Sequence, residues 1–268
     1  KKPEVGEKLN VVTSFYPIML ITKAVVENAS GVEVTNLTQP QTGCLHDYSL
    51  LPNDIKTLEK ADVFVINGLG MESFMDKVIE SLPELKIIDL SKGIEPLEDN
   101  AHIWLVPENA AKMGENLAAE LSRLDSKNAE AYKNNSLEFK EKLMELDREM
   151  TEGLKKLSSR DIVVFHEAFP YFAYKYNLNI KATIQREPGE EPTAPELKET
   201  VDIVKESNVK ALFAEPQYPS SSAEVIANET GATVYSLDPI VTGENTAEPQ
   251  EYFIKMRENL KVLQGALK

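Results

Sequence analysis

Apolar and small residues at alternating spacings of three and four draw one seam along the middle of the chain. The seam runs through Ala129, Tyr132, Ser136, Phe139, Leu143, Leu146, Met150, Gly153 and Leu157. That spacing predicts one long helix over Asp125–Leu157, with Asp125 as its N-cap and no proline to interrupt it. At ~1.5 Å per residue such a helix reaches about 48 Å. Lys and Glu fill the opposite face, with Glu138 and Lys142 at the favourable i,i+4 spacing and Glu141 and Glu145 as a like-charged counterexample. Half of a coiled coil is the plainer reading of such a seam. The heptads stop at Leu157 and strand-like sequence flanks both ends, which favours a helix packed inside a globular protein.

Before this helix, strand and helix patterns alternate. Strands are predicted at Leu9–Thr13, Val32–Leu37, Asp62–Asn67, Lys86–Leu90 and His102–Leu105. Helices are predicted at Phe15–Asn28, Pro52–Ala61, Met71–Leu82 and Glu108–Leu124. After it the alternation restarts, with strands at Asp161–Phe165, Ile180–Ile184, Lys210–Ala214 and Thr233–Leu237. The helices between and after them are Glu167–Tyr176, Thr193–Ser207, Ser221–Thr230 and Glu248–Leu267. Thr193 with Glu196, and Ser221 with Glu224, have the spacing of capping boxes, and Gly231 suits the position just past a helix end. Strand–helix alternation implies parallel sheets covered on both faces. The expected fold is therefore α/β, two lobes with mostly parallel sheets joined by one long backbone helix. The expected divisions are an N-terminal lobe over 1–124, the connecting helix over 125–157 and a C-terminal lobe over 158–268. Open sheets of this kind bind ligands beyond the carboxyl ends of their strands, so a cleft between the lobes is the expected site.

Composition narrows the function. The 268 residues carry a net charge of −15, which argues against a nucleic-acid partner. The one cysteine, Cys44, cannot form an intrachain disulfide. No apolar run reaches transmembrane length, and no signal peptide is visible. The charged start KKPEVGEK reads as a tether or a trimmed beginning.

The chain has only three histidines, and each follows or adjoins a strand. His46 stands in the loop Gly43–Tyr48, His102 opens HIWL, and His166 ends DIVVF. Asp238 follows the strand TVYSL, and Pro239 after it holds Asp238 extended. Three imidazoles and one carboxylate from strand ends could meet on one metal ion, although scattered histidines are more often surface or core residues. No HExxH or CxxC motif is present to decide it. A thiolate ligand at Cys44 is chemically possible, and a small loop residue is the plainer reading. Glu167 could serve as a general base, and a carboxylate in the first turn of a helix is the plainer reading there. Tyr48, Trp104, Phe169 and Tyr171 are candidate walls, and Glu190, Glu191 and Glu215 candidate tuning charges.

The segments FYPIMLITKAV, GCLHDYSLLPNDIKTLEKADVFVINGLGME, HIWLVPENAAKM, DSKNAEAYKNN and VVFHEAFPYFAYKYNL resemble the metal-binding solute receptors of bacterial ABC transporters. The likeness runs from about Leu9 to the last helix, and its most specific parts are the three histidine segments. It implies a single long helix between two lobes and ligands at His46, His102, His166 and Asp238. Leu45, Ser49 and Ala101 depart from the family's usual residues around its histidines. Only the short EPLEDNA stands where many zinc receptors carry a long His- and acid-rich loop.

Three neutral imidazoles and one carboxylate suit tetrahedral zinc, whereas manganese prefers more oxygen ligands. The resemblance thus implies an extracytoplasmic receptor, periplasmic or lipid-anchored, that takes up Zn2+, with Mn2+ as the alternative cargo. It acts as a monomer, delivers the ion to a cognate ABC permease in the membrane, and catalyses nothing. Capture by deprotonated imidazoles should weaken as pH falls through the histidine range. A zinc-dependent hydrolase with Glu167 as base, or an adhesin that keeps the metal for structure, are the alternatives.

Overall fold

The computed structural model describes residues 8–184, 192–217 and 221–268. Glu190 and Glu191, expected to tune the site, lie outside the described residues. The chain has two lobes, each built on a four-stranded parallel sheet. One compact unit runs to Glu145 and takes in Ile240–Phe253; the other comprises Leu146–Pro239 and Ile254–Lys268.

In the first unit the strands are β1 (Leu9–Thr13), β2 (Val32–Asn36), β3 (Val63–Ile66) and β4 (Lys86–Asp89). They lie in the order β2-β1-β3-β4, with Val11 opposite both Val34 and Val63. All four residues of β3 are buried, while the edge strand β2 is never fully buried. A central parallel strand is covered on both faces, so it reads as an unbroken apolar run. The helices are α1 (Tyr16–Val26), α2 (Pro52–Leu58), α3 (Met75–Ser81) and α4 (Pro107–Leu124). Proline occupies the first turn of α1, α2 and α4, where its missing N–H costs nothing.

The second unit repeats the arrangement. Its strands β5 (Asp161–Val164), β6 (Asn179–Thr183), β7 (Ala211–Ala214) and β8 (Thr233–Ser236) lie in the order β6-β5-β7-β8, all parallel. Val163, Phe165, Val204, Leu212 and Ile226 form the centre of its core with α7 (Ala194–Glu206) and α8 (Ser221–Thr230). The capping box at Thr193 is present, with Glu196 Oε2 accepting from the Thr193 backbone N–H at 2.7 Å. Gly231 ends α8 at φ +74°, as expected of a residue past a helix terminus. The remaining helix of this unit is α6 (Pro170–Tyr176).

The long helix α5 covers Ala129–Leu154, 26 residues or about 39 Å. Its seam is the expected one: Tyr132, Ser136, Phe139, Leu143, Leu146 and Met150 are all buried. Leu154 closes it in place of Leu157, because the helix ends at Leu154. Asp125 does not cap the helix. A 3₁₀ turn over Ser126–Asn128 intervenes, and the Asp125 carboxylate accepts from Asn128 Nδ2 (2.6 Å) and Tyr132 Oη (2.7 Å). Early in α5, Asn135 Nδ2 donates to the carbonyls of Val25 and Glu27, which satisfies the end of α1. Late in α5, Gly153 lies against the closing helix α9 (Gln250–Ala266). A Cβ there would sit 2.8 Å from Leu260 Cδ1, so the backbone is close because the side chain is missing.

Two further sequence expectations fail locally. His102–Leu105 is no strand: Ile103–Leu105 is a 3₁₀ turn leading into α4. A short buried apolar run fits strand or helix equally by pattern, and Pro107 fixes the start of a helix just downstream. Glu167 is no first-turn helix residue, because Pro170 starts α6 three residues later, and the Glu167 side chain is exposed.

Candidate metal centre

In the first unit the chain order reverses at β1, which pairs with β2 on one side and β3 on the other. The loops leaving β2 and β4 carry the chemistry. The loop from β2 to α2 holds Cys44, Leu45 and His46. Leu45 is fully buried, and its carbonyl accepts from Tyr48 N–H (3.2 Å) and Ser73 Oγ (3.1 Å). Asp54 accepts from Tyr48 Oη (2.8 Å) and Leu51 N–H (2.7 Å), tying the far end of the loop to α2. His46 is therefore held from both sides without any secondary structure of its own.

The loop from β4 to α4 delivers His102. Asn67, one residue beyond β3, donates from Nδ2 to the Ala101 carbonyl at 2.9 Å. Asn67 and Gly68 in turn give their backbone N–H groups to the buried carboxyl of Glu72, at 2.8 and 3.2 Å. Burial pushes the Glu72 carboxyl up to about 7, against the pull of these hydrogen bonds.

Asn100 then orients the ring. Its Oδ1 lies 3.0 Å from the His102 backbone N–H and 3.2 Å from His102 Nδ1. A backbone N–H can only donate, so the Asn100 atom facing it is the carbonyl oxygen. An oxygen acceptor requires the proton on Nδ1, which leaves the lone pair of His102 on Nε2. This is the arrangement of a metal-binding histidine, whose second nitrogen donates to a fixed acceptor.

His102 Nε2 faces Cys44 Sγ at 3.4 Å. The His46 and His102 rings have centroids 5.2 Å apart. One candidate ligand atom each from Cys44, His46 and His102 lies within 4.8 Å of the others, close enough for one ion to touch all three. Desolvation lowers the His46 pKa, with Asp47 opposing it, which favours the neutral ring that coordination needs. Trp104 backs His102 at 5.2 Å and is itself gripped edge-on by Phe15. Of the expected walls, Trp104 adjoins the ring, whereas Tyr48 packs on Phe74.

The second unit holds the other two candidates. His166 is buried two residues beyond β5, the strand at which this sheet reverses its order. Asp238 stands two residues beyond the edge strand β8. Its carboxylate pairs with Lys255, and Asn259 clamps its backbone, accepting from the Asp238 N–H at 2.8 Å and donating to its carbonyl at 2.7 Å. Glu215, buried beside β7, is pushed well above the usual carboxyl range by burial and then by the charge of Asp238. Gln217 Nε2 donates to it at 2.5 Å.

Asn100 is a residue whose part the sequence did not reveal: it stands two positions before His102, a spacing that only geometry turns into a contact. Cys44, a possible ligand by its chemistry, meets His102 and not the nearby His46 in this contact.

Comparison with known proteins places the chain among zinc-uptake components. The chain is 30% identical over 285 residues to the high-affinity zinc uptake system protein ZnuA of Bacillus subtilis, covering 98% of this chain and 88% of that protein. It is 28% identical to the zinc-binding lipoprotein AdcA of Streptococcus pneumoniae, of which it spans only 55%. The Zn(II)-bound ZnuA-like domain of Streptococcus pneumoniae AdcA superposes with a TM-score of 0.83 at 28% identity, covering 97% of this chain and 99% of that domain. A family model described as "Zinc-uptake complex component A periplasmic" matches residues 11–266. With nearly the whole chain matched, two parallel-sheet lobes and paired imidazoles beyond the strand ends, the protein belongs to the ZnuA family of zinc-uptake components.

Proposed function

We propose that this chain is the extracytoplasmic receptor of an ABC transporter, and that it captures Zn2+ and hands it to a membrane permease. The observation that carries the reading is the pre-oriented pair His46 and His102, with the His102 lone pair on Nε2. His166 is the third imidazole this reading assigns, and Asp238 is the carboxylate that the family resemblance adds. Nitrogen-rich donors favour zinc over manganese, which prefers oxygen. Membership of an uptake family supports transport without covalent chemistry. The receptor works as a monomer, in the periplasm or lipid-anchored to the outer face of the membrane. Among the described residues no helix is long and apolar enough to cross a membrane.

The test is elemental analysis of protein purified without added metal, followed by zinc–manganese competition. One equivalent of zinc that manganese does not displace is expected. A protein that retains manganese in the presence of equal zinc would overturn the choice of cargo.

A further inference from the structure

We infer that Cys44 is a sulfur ligand to the captured metal and sets the preference for zinc. The inference rests on the receptor reading above and assigns the ligand position that the resemblance gives to Asp238.

Distance is the first support. Zinc takes sulfur at about 2.3 Å and imidazole nitrogen at about 2.0–2.1 Å, so two such ligands of one tetrahedron stand about 3.6 Å apart. Cys44 Sγ and His102 Nε2 stand 3.4 Å apart, close to that edge. Direction is the second. The nitrogen facing the sulfur is the one that Asn100 leaves with a lone pair, because it holds the proton on Nδ1. A thiol donating to that lone pair gives the same spacing, and the experiment below separates the two. Burial is the third: Cys44 is 7% exposed, so its thiol points into the protein beside both rings.

Charge supplies the last argument. Neutral imidazoles leave the charge of the dication uncompensated, and an anionic ligand would offset part of it. The Asp238 carboxylate is already paired with Lys255. Moving Asp238 onto a metal would strip Lys255 of its counter-ion. Cys44 has only to lose its thiol proton to the solvent as the metal enters, forming the sulfur–zinc bond with no other change. A thiolate ligand is soft, and soft ligands select zinc and disfavour manganese.

The experiment uses Co2+ as a spectroscopic stand-in for zinc in the full chain. The wild-type protein should show intense near-ultraviolet thiolate-to-cobalt charge transfer, and Cys44→Ser should lose it. Zinc affinity should fall by about tenfold or more in Cys44→Ser, with the zinc-over-manganese preference narrowed. X-ray absorption on the zinc-loaded wild type should find one sulfur at about 2.3 Å, which does not depend on any variant folding. Cobalt or zinc bound through nitrogen and oxygen alone overturns the role of Cys44 and leaves the receptor reading intact. Failure of the wild-type protein to bind either metal overturns both.

Discussion

Asn100 shows how much one side chain can decide. One oxygen accepts from the backbone and the ring of His102, and so fixes both the position and the tautomer of a candidate ligand. We expect Asn100→Ala to weaken zinc binding by about 10–100-fold, and Asn100→Asp, which keeps an acceptor oxygen, to restore most of it. Calorimetric titration distinguishes the cases; equal affinity in all three proteins would remove Asn100 from any positioning role. Glu72 is a second such residue. Its folded pKa of about 7 lies above the ordinary 4.5, so the folded protein holds this proton more tightly than the unfolded chain. The stability this gives is fully present below about pH 4.5 and is lost as pH climbs through about 7. Relative to wild type, Glu72→Gln should therefore gain about 3 kcal/mol between those limits, read from urea midpoints at each pH. A gap that does not move with pH would show that Glu72 ionises freely. The histidines stood out as candidates in the sequence because there are only three, although only His166 lies close to a strand end. Asn100 did not stand out, and the partner of Cys44 was not legible, because a hydrogen bond or a sulfur–nitrogen approach depends on how the loops fold.

Among the elements, α5 was the most legible and its ends the least. A period of three and four residues marks a buried face however the rest folds, and every seam position from Tyr132 to Met150 is buried. Its start was misplaced because Asp125, a good capping residue by type, uses its carboxylate on Asn128 and Tyr132 instead. The HIWL segment failed for a different reason: four buried apolar residues have no period to read. The glycine on the seam makes a sharp prediction. Gly153→Leu should destabilise by about 1–3 kcal/mol, since even a Cβ meets Leu260 at 2.8 Å. An unchanged melting temperature would mean that α9 yields at no cost.

At the scale of the molecule, the sequence disclosed two parallel sheets because the alternation of strand and helix restarts after α5. It could not disclose that each sheet has the same reversed order, since pairing between strands leaves no mark along either one. Nor did it show that Ile240–Phe253, late in the chain, belongs with the first unit. That return is fastened by one buried hydrogen bond and two nearer the surface. Tyr252 Oη donates to the Trp104 carbonyl at 2.6 Å, and Lys23 reaches the carbonyls of Asn245 and Ala247 at 3.2 and 2.7 Å. Tyr252→Phe should cost about 1–3 kcal/mol by leaving a buried carbonyl unmet, measurable by denaturant unfolding of the apo protein. Stability equal to wild type would show that the carbonyl finds another donor.

The returning segment also sets an order of events during synthesis. Ribosomes extend the chain from its amino end, yet the first unit lacks its final piece until Phe253 has emerged. A nascent chain stalled after Pro239 would carry every strand of both sheets and still leave Trp104 and Lys23 without these partners. Completion of the first unit thus waits until the strands of the second have been made.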